Sequence, residues 1–596
     1  MQTYQAPLRD MRFVLHELIG TDSLTALKGC EELTPDLTDP ILEEAAKVAQ
    51  ELLAPINVIG DTEGCVWENG VVRTPAGFKE AYIAFRDGGW TSLAAAPEWG
   101  GQGLPEGINK LVEEMICAAN LSFSLYPGLT AGAYHALRRH ASDELKQLYL
   151  PKMVEGRWSG TMNLTEAHCG TDLGLLRTRA APQDDGAYLI NGNKIFISAG
   201  EHDLTENIIH LVLARLPDAP AGIKGISLFL VPKYLVNPDG SLGARNGVTA
   251  TAIEHKHGIR GSATCQMSYD DARGWLVGEP HKGMRAMFTM MNNERVAVGV
   301  QGLGVGEAAY QSAVAYAKER LQGRSLSGVK CPDKPADPII VHPDIRRTLM
   351  TMRAWNEGCR ALAAWVAREI DISERHPDPE RREQAEEFTA LMTPLVKALL
   401  TDVGYENASS AVQVYGGHGY IRDHGVEQYL RDARIAMIYE GTNGIQALDL
   451  VGRKIGANMG RSLRHFFHPV SEFIEANKDD PKLAKLVAPF AKGFGALQLA
   501  TSQIAMAGLK DPEEAGAAAT EYLRLFGIVA LGYLWLRSAK LAQAALDGGT
   551  TETAFYQAKL TTARFFIERI LPQAGSLLAQ IKSGKAAMMA MDEMAF

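Results

Sequence analysis

The sequence predicts an α+β protein, mainly α, in four parts. These are an N-terminal helical domain, a middle antiparallel β-barrel or sandwich, a C-terminal helical bundle, and an extra C-terminal helical domain. Three observations predict this. Apolar residues recur at helical spacing over residues 1–158 and again from about residue 282 almost to the end. Between them lie short β-rich runs split by turn residues. And 596 residues exceed what one core accommodates, since single cores stop growing near roughly 250–300 residues. The boundaries are expected at 158/159, 281/282 and 462/463.

In the first part, Ile41, Leu42, Ala45, Ala46, Val48, Ala49, Leu52 and Leu53 trace one face of a helix that Pro55 ends. Phe78, Tyr82 and Phe85 mark another such face. In the second part, Tyr188-Leu-Ile and Ile195-Phe-Ile flank Asn191-Gly192-Asn193, which reads as a hairpin. Ile208–Ala214, Ile226–Val231 and Ala263–Ser268 read as further strands, and strands without intervening helices argue for an antiparallel sheet. Beyond Lys282 the helical period returns. It is interrupted by a Pro-rich loop at 330–338, and a polar break at 476–481 opens a final Ala- and Leu-rich segment.

With 46% hydrophobic and 22% charged residues, the composition is that of an ordinary globular protein. A net charge of -10 and a pI near 5.9 argue against nucleic-acid binding, because an acidic chain repels phosphates. Seven cysteines without a C-x-x-C pair argue for reduced thiols and a cytoplasmic protein. The opening residues lack the basic and apolar regions of a signal peptide. The longest apolar run, Leu525–Leu536, is short of the ~18 residues of a membrane span and reads as a buried core helix.

No G-x-G-x-x-G, P-loop, H-E-x-x-H or G-x-S-x-G motif is present, so a bound nucleotide would lie outside a Rossmann fold. The hairpin that follows His168, Cys169 and Asp172 supplies no further His or Cys, and no metal is expected. Two segments carry the chemistry. One is Leu164-Thr165-Glu166-Ala167-His168-Cys169-Gly170-Thr171-Asp172, followed by Gly192-Asn193-Lys194-Ile195-Phe196-Ile197-Ser198. The other is Gln413-Val414-Tyr415-Gly416-Gly417-His418-Gly419-Tyr420, then Arg431-Asp432-Ala433-Arg434, then Tyr439-Glu440-Gly441-Thr442.

From about residue 35 to 460, these blocks resemble the acyl-CoA dehydrogenase family. Its pattern is T-E-x-x-x-G-[ST]-D, G-x-K-x-[WF]-I-[TS], Q-x-x-G-G-x-G-[YF], R-D-[AS]-[RK] and Y-E-G-T, and all five occur in order. The opening Tyr4–Phe13 and a tail of roughly 135 residues narrow the resemblance to the 3-methylmercaptopropionyl-CoA dehydrogenase subgroup and its long bacterial relatives.

The resemblance implies an FAD enzyme that introduces a double bond between C2 and C3 of an acyl-CoA, with Glu440 as the base. Leu164, Thr165 and Ser198 are expected on the flavin, and Thr171 on the CoA and pyrophosphate side. Arg320 is expected on the diphosphate of a neighbouring subunit, with Gln413, Gly416 and Gly417 lining the adenosine side and Thr442 also on the cofactor. Arg295, Tyr439 and Gly441 are expected on the substrate, with Tyr126–Leu129 along the acyl chain. The implied partners are acyl-CoA, an electron-transfer flavoprotein and a second copy of the chain. The substrate is expected to be 3-methylmercaptopropionyl-CoA or a medium- or long-chain acyl-CoA. Two alternatives share the fold: an acyl-CoA oxidase using oxygen, and an inactive binding or assembly protein.

Overall fold

The computed structural model describes residues 4–596, which form two compact units. The first comprises residues 4–46, 105–114 and 298–596; the second comprises 47–104 and 115–297.

The second unit contains a closed β-barrel. Strand Thr264–Val277 pairs with Tyr188–Ser198, which pairs with Arg179–Pro182. Asn207–Arg215 and Ile226–Pro232 continue the ring, and the latter returns to Thr264–Val277. Asn207–Arg215 is buried at all but its last residue and Ile226–Pro232 throughout, so neither shows the in–out alternation of a half-exposed strand. Val212, Phe229, Ile190 and Tyr269 sit in the barrel core.

Two pairs run against the expected antiparallel rule. Arg179–Pro182 meets Asn207–Arg215 in parallel at Arg179↔Arg215, and the longer case is the first strand of the unit's sheet. Trp158–Asn163 lies parallel to Asn207–Arg215, in register from Trp158↔Asn207 to Asn163↔Val212. The long intervening segment contains two more strands and brings the chain back in the same direction, which a short turn cannot do.

The hairpin expected at Asn191-Gly192-Asn193 does not form. Tyr188–Ser198 is a single strand paired on both edges. Gly192 is needed there for a close approach: a Cβ would stand 2.5 Å from Thr178 Oγ1. Glycine inside a strand marks such a contact as readily as it marks a turn.

Helix Leu121–His140 packs on the strand Trp158–Asn163, and Gly160 admits it, since a Cβ there would stand 2.5 Å from the Ala133 methyl. Within this helix Tyr126 is fully buried. Its hydroxyl donates to Gly261 O at 3.1 Å and accepts from Ala263 N at 3.0 Å. Tyr126 is therefore a strut of the barrel.

The first unit is helical. Its long helices Pro343–Arg375 and Pro379–Tyr415 pack against each other and against the portion of Gly283–Glu319 beyond Val298. Gly302 and Gly404 let two of these backbones touch, for a Cβ on Gly404 would stand 2.2 Å from Gly302 O. Helices Arg461–Asn477, Ala484–Lys510, Ala519–Asp547, Thr553–Phe565 and Gln573–Ser583 follow.

Ala519–Asp547 is, among the described residues, the one helix long and apolar enough to cross a membrane, and 83% of its apolar window is buried inside the protein. It serves as the core helix of the tail, with Trp535 Nε1 donating to Ala354 O at 3.1 Å. The opening residues join the same unit. Arg9 lies 4.0 Å over the Phe555 ring, and Arg537 donates to Leu18 O at 2.7 Å.

Candidate functional site

Strand Trp158–Asn163 delivers the chain to Leu164 and Thr165, both half-buried. The segment beyond is pinned by one buried ion pair. Lys194, wholly buried, donates to Glu166 Oε1 and to Leu164 O, both at 2.9 Å. Glu166 also accepts from Arg177 N at 2.7 Å, Thr178 N at 3.0 Å and Thr178 Oγ1 at 2.6 Å. Burial alone would raise the Glu166 pKa. The Lys194 charge and these donors outweigh it and hold the carboxyl near 2. Glu166 is thereby an ionised strut at neutral pH, its oxygens committed to these donors.

Opposite this segment, Ile195 N donates to Thr165 O at 3.0 Å. Phe196 follows in the left-handed region, φ 58°, with its side chain 60% exposed. A bulky residue in that region is strained, and such strain concentrates at functional sites. Ser198 O accepts from Thr161 Oγ1 at 2.6 Å, and neither the Thr165 nor the Ser198 hydroxyl has a protein partner among the described residues. Thr171 is exposed. Arg295 is half-buried, with its guanidinium 3.4 Å from Asn292 Oδ1.

Of His168, Cys169 and Asp172, the first two converge, and with Glu166 in place of Asp172 their ligand atoms lie within 4.8 Å of one another. Glu166 is committed to Lys194, however, and His168 Nε2 to Leu175 O at 3.0 Å. Asp172 instead caps its own turn through Gly174 N.

In the first unit, Glu440 is half-buried and left-handed at φ 57°, and Gly441 follows at φ 84°. Thr442 caps helix Asn443–Asp449, its hydroxyl accepting from Ile445 N at 3.3 Å, so Glu440 is not the cap. Asn443 anchors the turn from behind. It accepts from Lys397 Nζ at 2.8 Å and donates to Asp402 Oδ1 at 2.6 Å. On the other side the Tyr439 hydroxyl donates to Gln301 Oε1.

The structure brings the turns bearing Arg320 and Gln413 together. Tyr316, one helical turn before Arg320, stacks on Tyr415 at 4.1 Å, and its hydroxyl lies 2.8 Å from His418 Nδ1. Arg320 is exposed and has no ion-pair partner among the described residues. Gln413, Gly416 and Gly417 are also exposed, and a Cβ on either glycine would meet nothing within 4 Å.

The structural parts of Lys194, Phe196, Tyr316 and His418 were missed at the level of sequence. Lys194, Phe196 and His418 stand inside the quoted motifs, a sufficient signal; Tyr316 carries none.

Family models match along the chain. The acyl-CoA dehydrogenase N-terminal, middle and C-terminal domain models match residues 41–157, 161–272 and 281–455. A model described as acetyl-CoA dehydrogenase C-terminal like matches 466–592. The chain is 45% identical to the 3-methylmercaptopropionyl-CoA dehydrogenase of Ruegeria pomeroyi, over 96% of this chain and 97% of that one.

The chain belongs to the acyl-CoA dehydrogenase family.

It is thus an oxidoreductase enzyme. A butyryl-CoA dehydrogenase of Syntrophomonas wolfei is 35% identical over 100% of this chain and 99% of that protein. The fold matches the solved acyl-CoA dehydrogenase of Bacillus anthracis, complexed with FAD, with a TM-score of 0.74 at 19% identity, covering 98% of this chain and 93% of that one.

The residues present fit a flavin dinucleotide. Hydroxyls without a protein partner among the described residues and an exposed aromatic line the Thr165–Ser198 platform. An open diglycine and an arginine with no ion pair among the described residues, the donor a diphosphate needs, adjoin Gln413.

Proposed function

We propose that the enzyme removes the α-proton of an acyl-CoA with Glu440 and so opens the way to the trans-2-enoyl-CoA. The observation that carries this is the left-handed Glu440 turn, braced on both sides by Gln301–Tyr439 and Lys397–Asn443. The rival carboxylate, Glu166, is held ionised by Lys194.

The cofactor is FAD. When bound, it supplies the hydride acceptor that no side chain can provide. Leu164, Thr165 and Ser198 would hold its ring, Thr171 and Thr442 would contact it further along, and Arg320, Gln413, Gly416 and Gly417 would hold the dinucleotide end of a neighbour's FAD. Arg295, Tyr439 and Gly441 would contact the substrate. The Glu440 N–H would hold the thioester oxygen and stabilise the negative charge that develops there.

For the substrate we favour 3-methylmercaptopropionyl-CoA, on the strength of 45% identity over nearly the whole chain to a dehydrogenase of that name. The electron acceptor proposed is an electron-transfer flavoprotein, the assembly a homodimer and the location the cytoplasm. The four-part division at 158, 281 and 462 stands as the proposed domain plan.

The test is anaerobic flavin bleaching and turnover with an artificial acceptor on 3-methylmercaptopropionyl-, butyryl-, octanoyl- and palmitoyl-CoA. Glu440→Gln keeps the volume and removes the base, so flavin content and acyl-CoA affinity survive while turnover falls about 10²–10⁴-fold. Bleaching of that variant at the parent rate would overturn the role of Glu440. Faster turnover of a straight-chain acyl-CoA would overturn the substrate. Peroxide production in air at the turnover rate would identify an oxidase.

A further inference from the structure

Two consecutive residues, Glu440 and Gly441, take the left-handed conformation, at φ 57° and 84°. For Glu440 this is unfavourable by itself, so something must hold it. The contact that does so comes from one buried side chain. Gln446 is 0% exposed, and its Nε2 donates to both Glu440 O, at 3.1 Å, and Gly441 O, at 3.4 Å. The amide lies directly against the turn, for a Cβ on Gly441 would stand 2.7 Å from Nε2. Two carbonyls face this group, so it must be the NH₂ end, the one part of the amide that donates. The other end, Oε1, is buried without a partner among the described residues. The side chain is thus turned to serve the two carbonyls although its own acceptor is left without a partner among the described residues.

We propose that Gln446 is the positioning residue for Glu440. By gripping both carbonyls it fixes the two peptide planes after the Glu440 Cα and holds that residue left-handed, which sets where its carboxylate points. This rests on the reading of Glu440 as the base. Misplacement of a reacting group by about 1 Å can cost on the order of 10²-fold in rate.

Three variants of the full-length holoenzyme test it. Gln446→Leu fills the volume and removes the donor; kcat is expected to fall about 10–100-fold, with flavin content, melting temperature and KM little changed. Gln446→Glu replaces the donor by a carboxylate, which repels the two carbonyls when ionised and donates one O–H when protonated. Its kcat should therefore recover as pH falls, a pH profile opposite to that of an enzyme limited by ionisation of its base. Glu440→Gln is measured beside them.

If Gln446→Leu keeps kcat within about twofold while Glu440→Gln is inactive, the positioning role is wrong and the base assignment stands. If Glu440→Gln is active, the base assignment itself fails. Loss of flavin or of the folding transition in both Gln446 variants, or a pH profile of Gln446→Glu like that of the parent, overturns the proposal and leaves Gln446 a stability residue.

Discussion

The guanidinium of Arg360 faces the carboxylate of Glu114 through Nε at 2.9 Å and Nη2 at 2.5 Å, with both side chains 1% exposed. Arg360 also reaches Asp10, and Glu307 at 3.2 Å, while Lys559 bridges Asp10 and Glu357. Arg353 in turn pairs with Glu357 at 2.6 Å. This buried cluster ties the opening helix and the tail helix Thr553–Phe565 to the long helices of the same unit. Four carboxylates share three cations, and the deficit falls on Glu114. Burial, the larger effect, pushes it up, and Glu307 and Asp10 add to this against Arg360, leaving it at about 7.

That shift predicts a pH dependence. A carboxyl whose folded pKa is raised from 4.5 to about 7 is protonated more readily in the folded state. Its contribution to stability is full below about 4.5 and is lost as pH rises through about 7. The Glu114→Gln variant, amide in place of acid, should lose that slope. Urea melts of both proteins at pH 5 and pH 8 check it. The parent should lose more stability across that interval than the variant, and parallel profiles would count against the assignment.

Lys194 and Glu166 make the opposite case. Lys194→Met leaves Glu166 buried and uncompensated, at a cost of roughly 3–5 kcal/mol, and frees the Leu164–Thr165 segment. The expected result is a lower melting temperature together with loss of bound FAD, read from the flavin absorbance of the purified protein. In the parent, Glu166 at about 2 contributes stability above about 4.5 that is lost as pH falls toward 2. A yellow Lys194→Met protein with the parent's melting temperature would show that the pair is dispensable.

Arg320 is exposed and unpaired among the described residues, so its removal disturbs nothing inside the fold. Arg320→Ala should weaken FAD binding by roughly 1.5–3 kcal/mol, the worth of a charge-assisted hydrogen bond, with an unchanged apoprotein melt. Fluorimetric titration of apoprotein with FAD, alongside sedimentation, checks both parts. A fully loaded monomer would rule out supply of this arginine from a neighbour.

Removing residues 463–596 strips Trp535, Leu531 and Phe526 from their packing and leaves buried charges such as Asp10 without Lys559. The truncated protein should aggregate on expression, because large apolar faces newly open to water associate. Light scattering of a truncated protein that stays soluble and active would mark the tail as a separate docking module.

Much was legible in the string because its signals are local. The wholly buried strands Ile208–Ala214 and Ile226–Val231 announce themselves by unbroken apolar runs, and Phe78, Tyr82 and Phe85 by their spacing; all three are essentially fully buried. The five motif blocks are equally local, and they sufficed to identify the family.

What only the tertiary structure decided depends on residues far apart. Gly192 reads as a turn until Thr178 is seen packed on it, and Trp158–Asn163 pairs parallel because of what lies between it and its partner. The commitment of Glu166 to Lys194, 28 positions on, and the left-handed Glu440 held by Gln446 are likewise invisible in the string. Composition and periodicity report which residues must leave water. They do not report which buried partner each will meet, because that is settled only when distant segments compete for the same space.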